Sequence, residues 1–369
     1  MAAFSINWQA IIALALAAAS LVSLPYTGAT GVGASAGIVA LLSVGALLSM
    51  LRAAKSAETT VLAIASFGGA ALLIHALGTA SGTATTGFYM ALAAAWLLGW
   101  RLVTVLSGDG SRFAQVSTFG AIIIPAIFGI WILILWEALV RGAGVPFVLL
   151  PPPSAIGVKI TTSMPILAAD FVQTVLKAVL TGFAMGSIAG FAVAILADRY
   201  RFFANGLLPI GNMVSALPMI GIAPIMVIWF GFDWQSKAAV VVVMTFFPML
   251  VNTLAGLSSA GHMERDLMRT YGSGYWQTLA KLRLPAAMPF IFNALKINST
   301  LAMIGAIVAE FFGTPVVGMG FRISTEVGRM NLDMVWAEIA LAAVVGSLFY
   351  GGLALLERTV TFWHPSYRR

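Results

Sequence analysis

Cysteine is absent from the 369 residues, which excludes disulfides, thiol nucleophiles and thiolate metal sites. Charge is scarce: Asp, Glu, Lys and Arg make up 9% of the chain, against 60% hydrophobic residues and a mean hydropathy of +0.98. A soluble domain of this length is excluded by those values. His75, His262 and His364 stand singly, with no partner three or four positions away, so no metal site is expected. Clustered His, Asp or Glu of the kind a membrane enzyme needs at one face is missing too, since the acidic residues are dispersed. No G-x-x-x-x-G-K-[ST] phosphate loop occurs, so the chain is expected to carry no ATPase site and no cofactor of its own. The net charge of +7 comes from basic residues spread singly between apolar runs, which argues against a nucleic-acid partner.

What is present is a succession of apolar runs, each long enough to cross about 30 Å of hydrocarbon. They fall near residues 7–24, 34–51, 59–79, 86–106, 119–140, 171–197, 207–231, 238–257, 286–309 and 334–356. The fold class expected is therefore all-α: a polytopic helical membrane protein of about ten transmembrane helices. The N-terminus has no positive stretch before its first apolar run, and that run is read as a retained helix rather than a signal peptide. With the N-terminus inside, the inner loops and tail collect Arg52, Lys55, Arg112, Arg199, Arg201, Arg265, Arg269, Lys281, Arg283, Arg358, Arg368 and Arg369. The outer loops hold Arg141, Lys159, Lys237, Arg322 and Arg329. This asymmetry follows the positive-inside rule, puts both termini in the cytoplasm and turns the loop 80–85 outward.

A polar stretch, Ser107 to Ser117, separates the first four runs from the last six. Residues 1–110 are expected to form an accessory bundle and residues 111–369 a core. Arg101 sits near a helix end where it can snorkel, and His75 is read as a hydrogen-bonded packing residue. No chemistry is visible in this first part.

The longest polar interruption between spans, Met263 to Pro289, reads MERDLMRTYGSGYWQTLAKLRLPAAMP. Arg265, Asp266 and Arg269 give a short helix a solvated side, while Leu267, Met268, Tyr271 and Trp276 supply apolar contacts that call for a protein partner. Gly272 and Gly274 permit a sharp bend, and Pro285 suits the first turn of the following span. Asp266 stands six positions before Gly272, and ten more lead to Leu282, followed by Leu284-Pro285. This spacing resembles the EAA loop of ATP-binding-cassette (ABC) importer permeases, here with Asp rather than Glu, and with Leu267 and Met268 where two small residues are usual.

The resemblance extends from about Trp131 to the C-terminus and is to the nitrate/sulfonate/taurine/bicarbonate branch of those permeases. It rests on LLPPPSAI (149–156), LPMIGIAPIMVIWFGF (217–232), FFPMLVNTLAGL (246–257) and VAEFFGTPVVGMGF (308–321), where Met319 stands between Gly318 and Gly320. It implies a six-helix type I importer core preceded by a four-helix extension, in a multi-pass protein of the bacterial inner membrane. It also implies a coupling loop, 258–285, and partners: a second permease copy, two ATP-binding subunits that hold ATP and Mg²⁺, an extracytoplasmic binding protein and the lipid bilayer. The solutes handled by the branch are small oxyanions, sulfonates and vitamin precursors. Residues 1–110 lie outside the resemblance.

Candidate coupling residues are Asp266, Leu267, Met268, Gly272, Leu282, Leu284 and Pro285. Candidate pathway residues are Pro218, Met219 and Pro224, whose helix lacks backbone hydrogen bonds at the prolines, together with Asn252, Lys296, Asn298 and Glu310. Three of these four have a packing alternative: Lys296 held by a carboxylate or carbonyl or snorkelling inward, and the asparagines bonded to a neighbouring helix. Gly182, Gly186 and Gly190 form two GxxxG steps and are read as helix packing within the subunit. A secondary carrier driven by an ion gradient is the competing class; it would show repeated halves with broken helices, and no repeat between the first and last five spans is apparent.

Overall fold

The computed structural model describes residues 7–28, 31–50, 55–78, 82–107, 118–200, 202–203, 206, 219–313 and 316–363. The helices are α1 Trp8–Ala19, α2 Val32–Met50, α3 Lys55–Ala63, α4 Gly69–Ala76, α5 Thr86–Ser107, α6 Thr118–Gly142, α7 Pro153–Thr162, α8 Met164–Phe171, α9 Leu180–Arg199, α10 Met219–Phe230, α11 Trp234–Ser258, α12 His262–Thr270, α13 Tyr275–Thr278, α14 Leu284–Glu310, α15 Met319–Gly328 and α16 Leu332–Val360. Wider π turns join α3 to α4, α8 to α9 and α13 to α14. No strand occurs among the described residues. Eight stretches are long and apolar enough to cross a membrane, and two shorter apolar helices, Trp8–Ser23 and Gly221–Phe230, stand where further runs are read in the sequence. The chain is a polytopic helical membrane protein.

Residues 1–156 and 157–369 form two compact units. The first is built on small residues: Ala13, Ala17, Ala46, Ala65, Ala91, Ala94 and Ala95 let its helices approach closely around Leu42, Leu73, Phe88, Leu98 and Trp131. Arg101 is paired with Glu58 at 2.8 Å, and His75 stands on the exposed side of α4 rather than packed in the bundle. Glu137 of α6 closes the N-terminus of α7, accepting from the Ser154 N–H at 2.9 Å and its hydroxyl at 2.7 Å. That is an N-terminal capping contact supplied from another helix.

In the second unit, α9, α11 and α14 pack side by side. An ideal Cβ added at Gly182 would lie 2.7 Å from the Ala238 carbonyl, and one at Gly190 would lie 2.4 Å from that of Phe246. The GxxxG steps are thus the surface on which α11 lies against α9, within one chain. Lys237, counted from the sequence as an outer-loop charge, is inside α11 and fully buried; its ammonium donates at 2.6 Å to the carbonyl of Phe232, in the link between α10 and α11. The polar stretch after Gly274 also proves helical, because α13 runs through a π turn into α14.

Candidate coupling site

Helix α12 carries its charges where its dipole favours them, Glu264 in the first turn and Arg269 in the last. No residue of this nine-residue helix is buried. Leu267 is 56% exposed, Tyr271 79%, and Trp276 just beyond the bend 66%, so the apolar side predicted from the sequence is real and uncovered. Met268 is half-buried. Asp266 faces Arg269 at 3.6 Å, an exposed pair of the kind that contributes little to stability.

Gly272 ends the helix. Its φ is +68°, its N–H donates to the Arg269 carbonyl at 2.9 Å, and the Ser273 N–H donates to the Met268 carbonyl at 3.0 Å. This is a Schellman turn, which needs a left-handed residue at that one position. A Cβ at Gly272 would meet nothing within 4 Å; the demand for glycine comes from the backbone alone. Gln277 then accepts from the Gly274 N–H at 3.4 Å, opening α13.

The return leg is anchored. Leu282 and Leu284 are half-buried, the latter against the core of Leu279, Ala287 and Ile291. Pro285 is at the first turn of α14, and it cannot donate to the Lys281 carbonyl four residues back; the widened turn 279–283 lies there. Arg283, within that turn, grips Asp198 at the end of α9 with both terminal nitrogens, at 2.7 and 2.5 Å. Its Nε donates to the Leu257 carbonyl at the end of α11 at 3.0 Å. The Tyr275 hydroxyl donates to the same Asp198 carboxylate at 2.8 Å, and Arg199 covers the Tyr275 ring at 4.9 Å.

At the opposite ends of α11 and α14 the polar groups are turned inward. Glu310 accepts from the Thr174 hydroxyl and the Gly320 N–H, both at 2.7 Å. Thr174 in turn accepts from the Met319 N–H at 2.8 Å. Asp170 accepts from the Gly318 N–H at 2.6 Å and from Arg322 at 2.9 Å, and this contact raises the guanidinium's pKa further above its ordinary value. The Gly-Met-Gly segment is thereby clasped by three side chains. Close by, a hollow of about 600 Å³ is bordered by Gln173, Lys177 and Asp233; the Gln173 amide, 2.8 Å from Asp233, holds that carboxyl below its usual pKa.

Comparison with known proteins is consistent with this geometry. Residues 182–362, all within the second unit, match the family of binding-protein-dependent transport system inner membrane components. The formylaminopyrimidine transport permease ThiX of Halalkalibacterium halodurans is 29% identical over 239 residues, 65% of this chain and 95% of the relative. The riboflavin transport permease RibX of Chloroflexus aurantiacus is 28% identical, covering 64% and 88%. The putative aliphatic sulfonates permease SsuC of Bacillus subtilis is 28% identical, covering 67% and 88%. The chain is a permease component of the ABC importer type. Its relatives are permeases for diverse small solutes, and it is the same kind of component: a multi-pass transport subunit of the nitrate/sulfonate/taurine/bicarbonate type.

In this permease those expected pathway residues that are described make separate contacts. Pro218 lies outside the described residues, as does the side chain of Met219. Pro224 is half-buried within α10. Asn252 donates to the Pro248 carbonyl of its own helix at 2.8 Å. Lys296 reaches Glu357 of α16 at 2.7 Å. Asn298 is buried and donates to Ser187 of α9 at 3.1 Å and to the Thr245 carbonyl of α11 at 2.8 Å, joining three helices; its Oδ1 has no hydrogen-bond partner among the described residues. Glu310 belongs to the clasp just described. Sequence reasoning missed Asp198, Arg283, Asp170, Thr174 and Arg322. The one available signal for the first pair was a charge placed at the end of each of two apolar runs, which was read for topology alone.

Proposed function

We propose that this permease forms the translocation pathway for a small solute of the oxyanion, sulfonate or vitamin-precursor type, delivered by an extracytoplasmic binding protein and driven by a separate ATPase. The observation that carries the reading is α12: a short helix with an uncovered apolar side, closed by a Schellman turn at Gly272 and rooted through Leu284 and Pro285 in a membrane span. Water alone does not favour that side, and a groove on a nucleotide-binding subunit does. Asp266 would accept hydrogen bonds there while Leu267 and Met268 fill the groove. Two copies of the chain and two ATP-binding subunits, which hold the ATP and Mg²⁺, complete the assembly in a bacterial inner membrane, with residues 258–285 cytoplasmic.

Residues 1–110 are proposed to be an accessory bundle separable from energy coupling, and 111–369 the permease core. Pro218, Met219, Pro224, Asn252, Lys296, Asn298 and Glu310 remain the candidate pathway set, with Lys296 the cation an anionic solute would meet. The test is uptake by the complex reconstituted in vesicles, using the ligand that copurifies with its binding protein. Uptake should require ATP and survive ionophores. Uptake that collapses with the ion gradient and ignores ATP assigns the chain to secondary carriers instead.

A further inference from the structure

We propose that Arg283 is a positioning residue: the joint that carries displacement of α12 into α9, α11 and α14 together. The proposal rests on the coupling reading given above. One guanidinium bonds two of the three helix ends, and its own residue leads into the third. It is part of the chain that enters α14, it is fork-bonded to Asp198 at the end of α9, and its Nε holds the last turn of α11 through the Leu257 carbonyl. The pair is largely shielded, with 15% and 12% of the two side chains exposed, where bidentate geometry fixes direction as well as distance. The contrast is with Asp266 and Arg269, at 3.6 Å and 71–83% exposed, a pair free to break and re-form.

Beside the fork, Arg265 of α12 donates to the Ser258 carbonyl at the end of α11, and Tyr275 donates to Asp198; the other contacts are apolar. Phe191 and Ile195 of α9 meet Tyr275, Leu279 and Leu284 through side chains that can slide past one another. A displacement arriving from α12 would be absorbed there unless something non-sliding crossed the seam. Tyr275 supplies a second stop, since it begins α13 and donates to the same carboxylate. A rigid element that both the nucleotide site and the pathway can bias is what transmission requires; Arg265 reaches the end of α11 alone, whereas the Arg283 fork ties the ends of α9 and α11 to the entry of α14.

The absence of cysteine makes the test clean. Spin labels at Ile188→Cys on α9 and Val344→Cys on α16, both exposed, report the distance between two spans of the full-length chain in its purified complex with the ATPase. The distance is measured without nucleotide and after trapping with ATP, Mg²⁺ and orthovanadate. The parent should show two distinct distances. In Arg283→Gln and in Asp198→Asn the ATPase should still copurify and hydrolyse ATP, while the vanadate-induced shift falls to less than half. Arg283→Lys, which keeps the charge and loses the fork, should fall between.

A full shift in both variants overturns the joint and leaves the coupling reading intact. Loss of the ATPase from both variants assigns the pair to docking and also overturns the joint. A parent distance that ignores ATP removes the coupling reading and the joint with it.

Discussion

The two ends of the α11–α14 pair treat polar groups in opposite ways. At one end Asp170, Thr174 and Glu310 are buried and give their oxygens to the backbone of Gly318, Met319 and Gly320. At the other, α12 leaves Asp266 and Arg269 in solvent and Leu267 uncovered, while Arg265, half-buried, turns back to the Ser258 carbonyl. A segment whose groups are satisfied internally has nothing left to offer a partner, and it holds two helices at a fixed distance. A segment with exposed Leu267, Tyr271 and Trp276 is incomplete alone. The permease is thus braced at the clasp and unpartnered at Leu267 of α12, the segment proposed above to meet the ATPase.

The comparison can be broken most forcefully at the clasp. Asp170→Ala removes a buried carboxylate that holds both the Gly318 N–H and Arg322. Breaking a buried pair from one side costs about 3 kcal/mol or more. The expected result is a fall in the detergent melting temperature and in the yield of folded protein. An unchanged melting curve would show that the clasp is not a brace. A smaller effect of the same kind is expected from Gly320→Ala, whose new Cβ would lie 2.1 Å from the Ile307 carbonyl; relieving that contact should cost roughly 1–3 kcal/mol, read as a smaller shift in the same curve.

Gly272→Val tests the other end. The position is open, so no clash is created, but a β-branched residue at φ +68° is strained by about 1–2 kcal/mol. That strain can be relieved by losing the Schellman turn, which redirects α12 without touching the spans. The melting temperature should hold within error while copurification of the ATPase and ATP-driven uptake fall together. A clear fall in melting temperature would mean that the bend supports the spans, against the division drawn here.

How much of this could be read in the sequence follows from distance along the chain. The bent segment 263–285 was legible as structure because its logic is local: a short helix holding Asp266, a left-handed Gly272 and a helix start at Leu284-Pro285. The membrane helices were legible from apolar runs alone. The clasp was not, because Asp170 and Gly318 are 148 positions apart and neither looks unusual by itself. Arg283, 85 positions from Asp198, was read only as a topology charge, and Asp198 was not singled out, for the same reason. Lys237 misled in the opposite sense: a lysine at the edge of an apolar run reads as a loop charge, yet its stem is buried and its ammonium closes a turn five residues back.

The smallest effect on stability and the sharpest on assembly should come from Leu267→Ala and Asp266→Arg. Among the described residues Leu267 is exposed and belongs to no buried cluster, and the Asp266 carboxylate makes an exposed contact with Arg269. Truncating or reversing such side chains changes the stability of an isolated protein by about 0.5 kcal/mol or less, so both variants should melt with the parent. Their value lies in a partner's groove, where a buried anchor typically costs more than 1 kcal/mol when truncated. Retention of the ATPase during washing should therefore drop in both, more for the reversal, because it places a cation where the groove meets a carboxylate. Parent-like retention and uptake in both would take α12 out of the mechanism and leave its exposed leucine and tyrosine to the lipid headgroups.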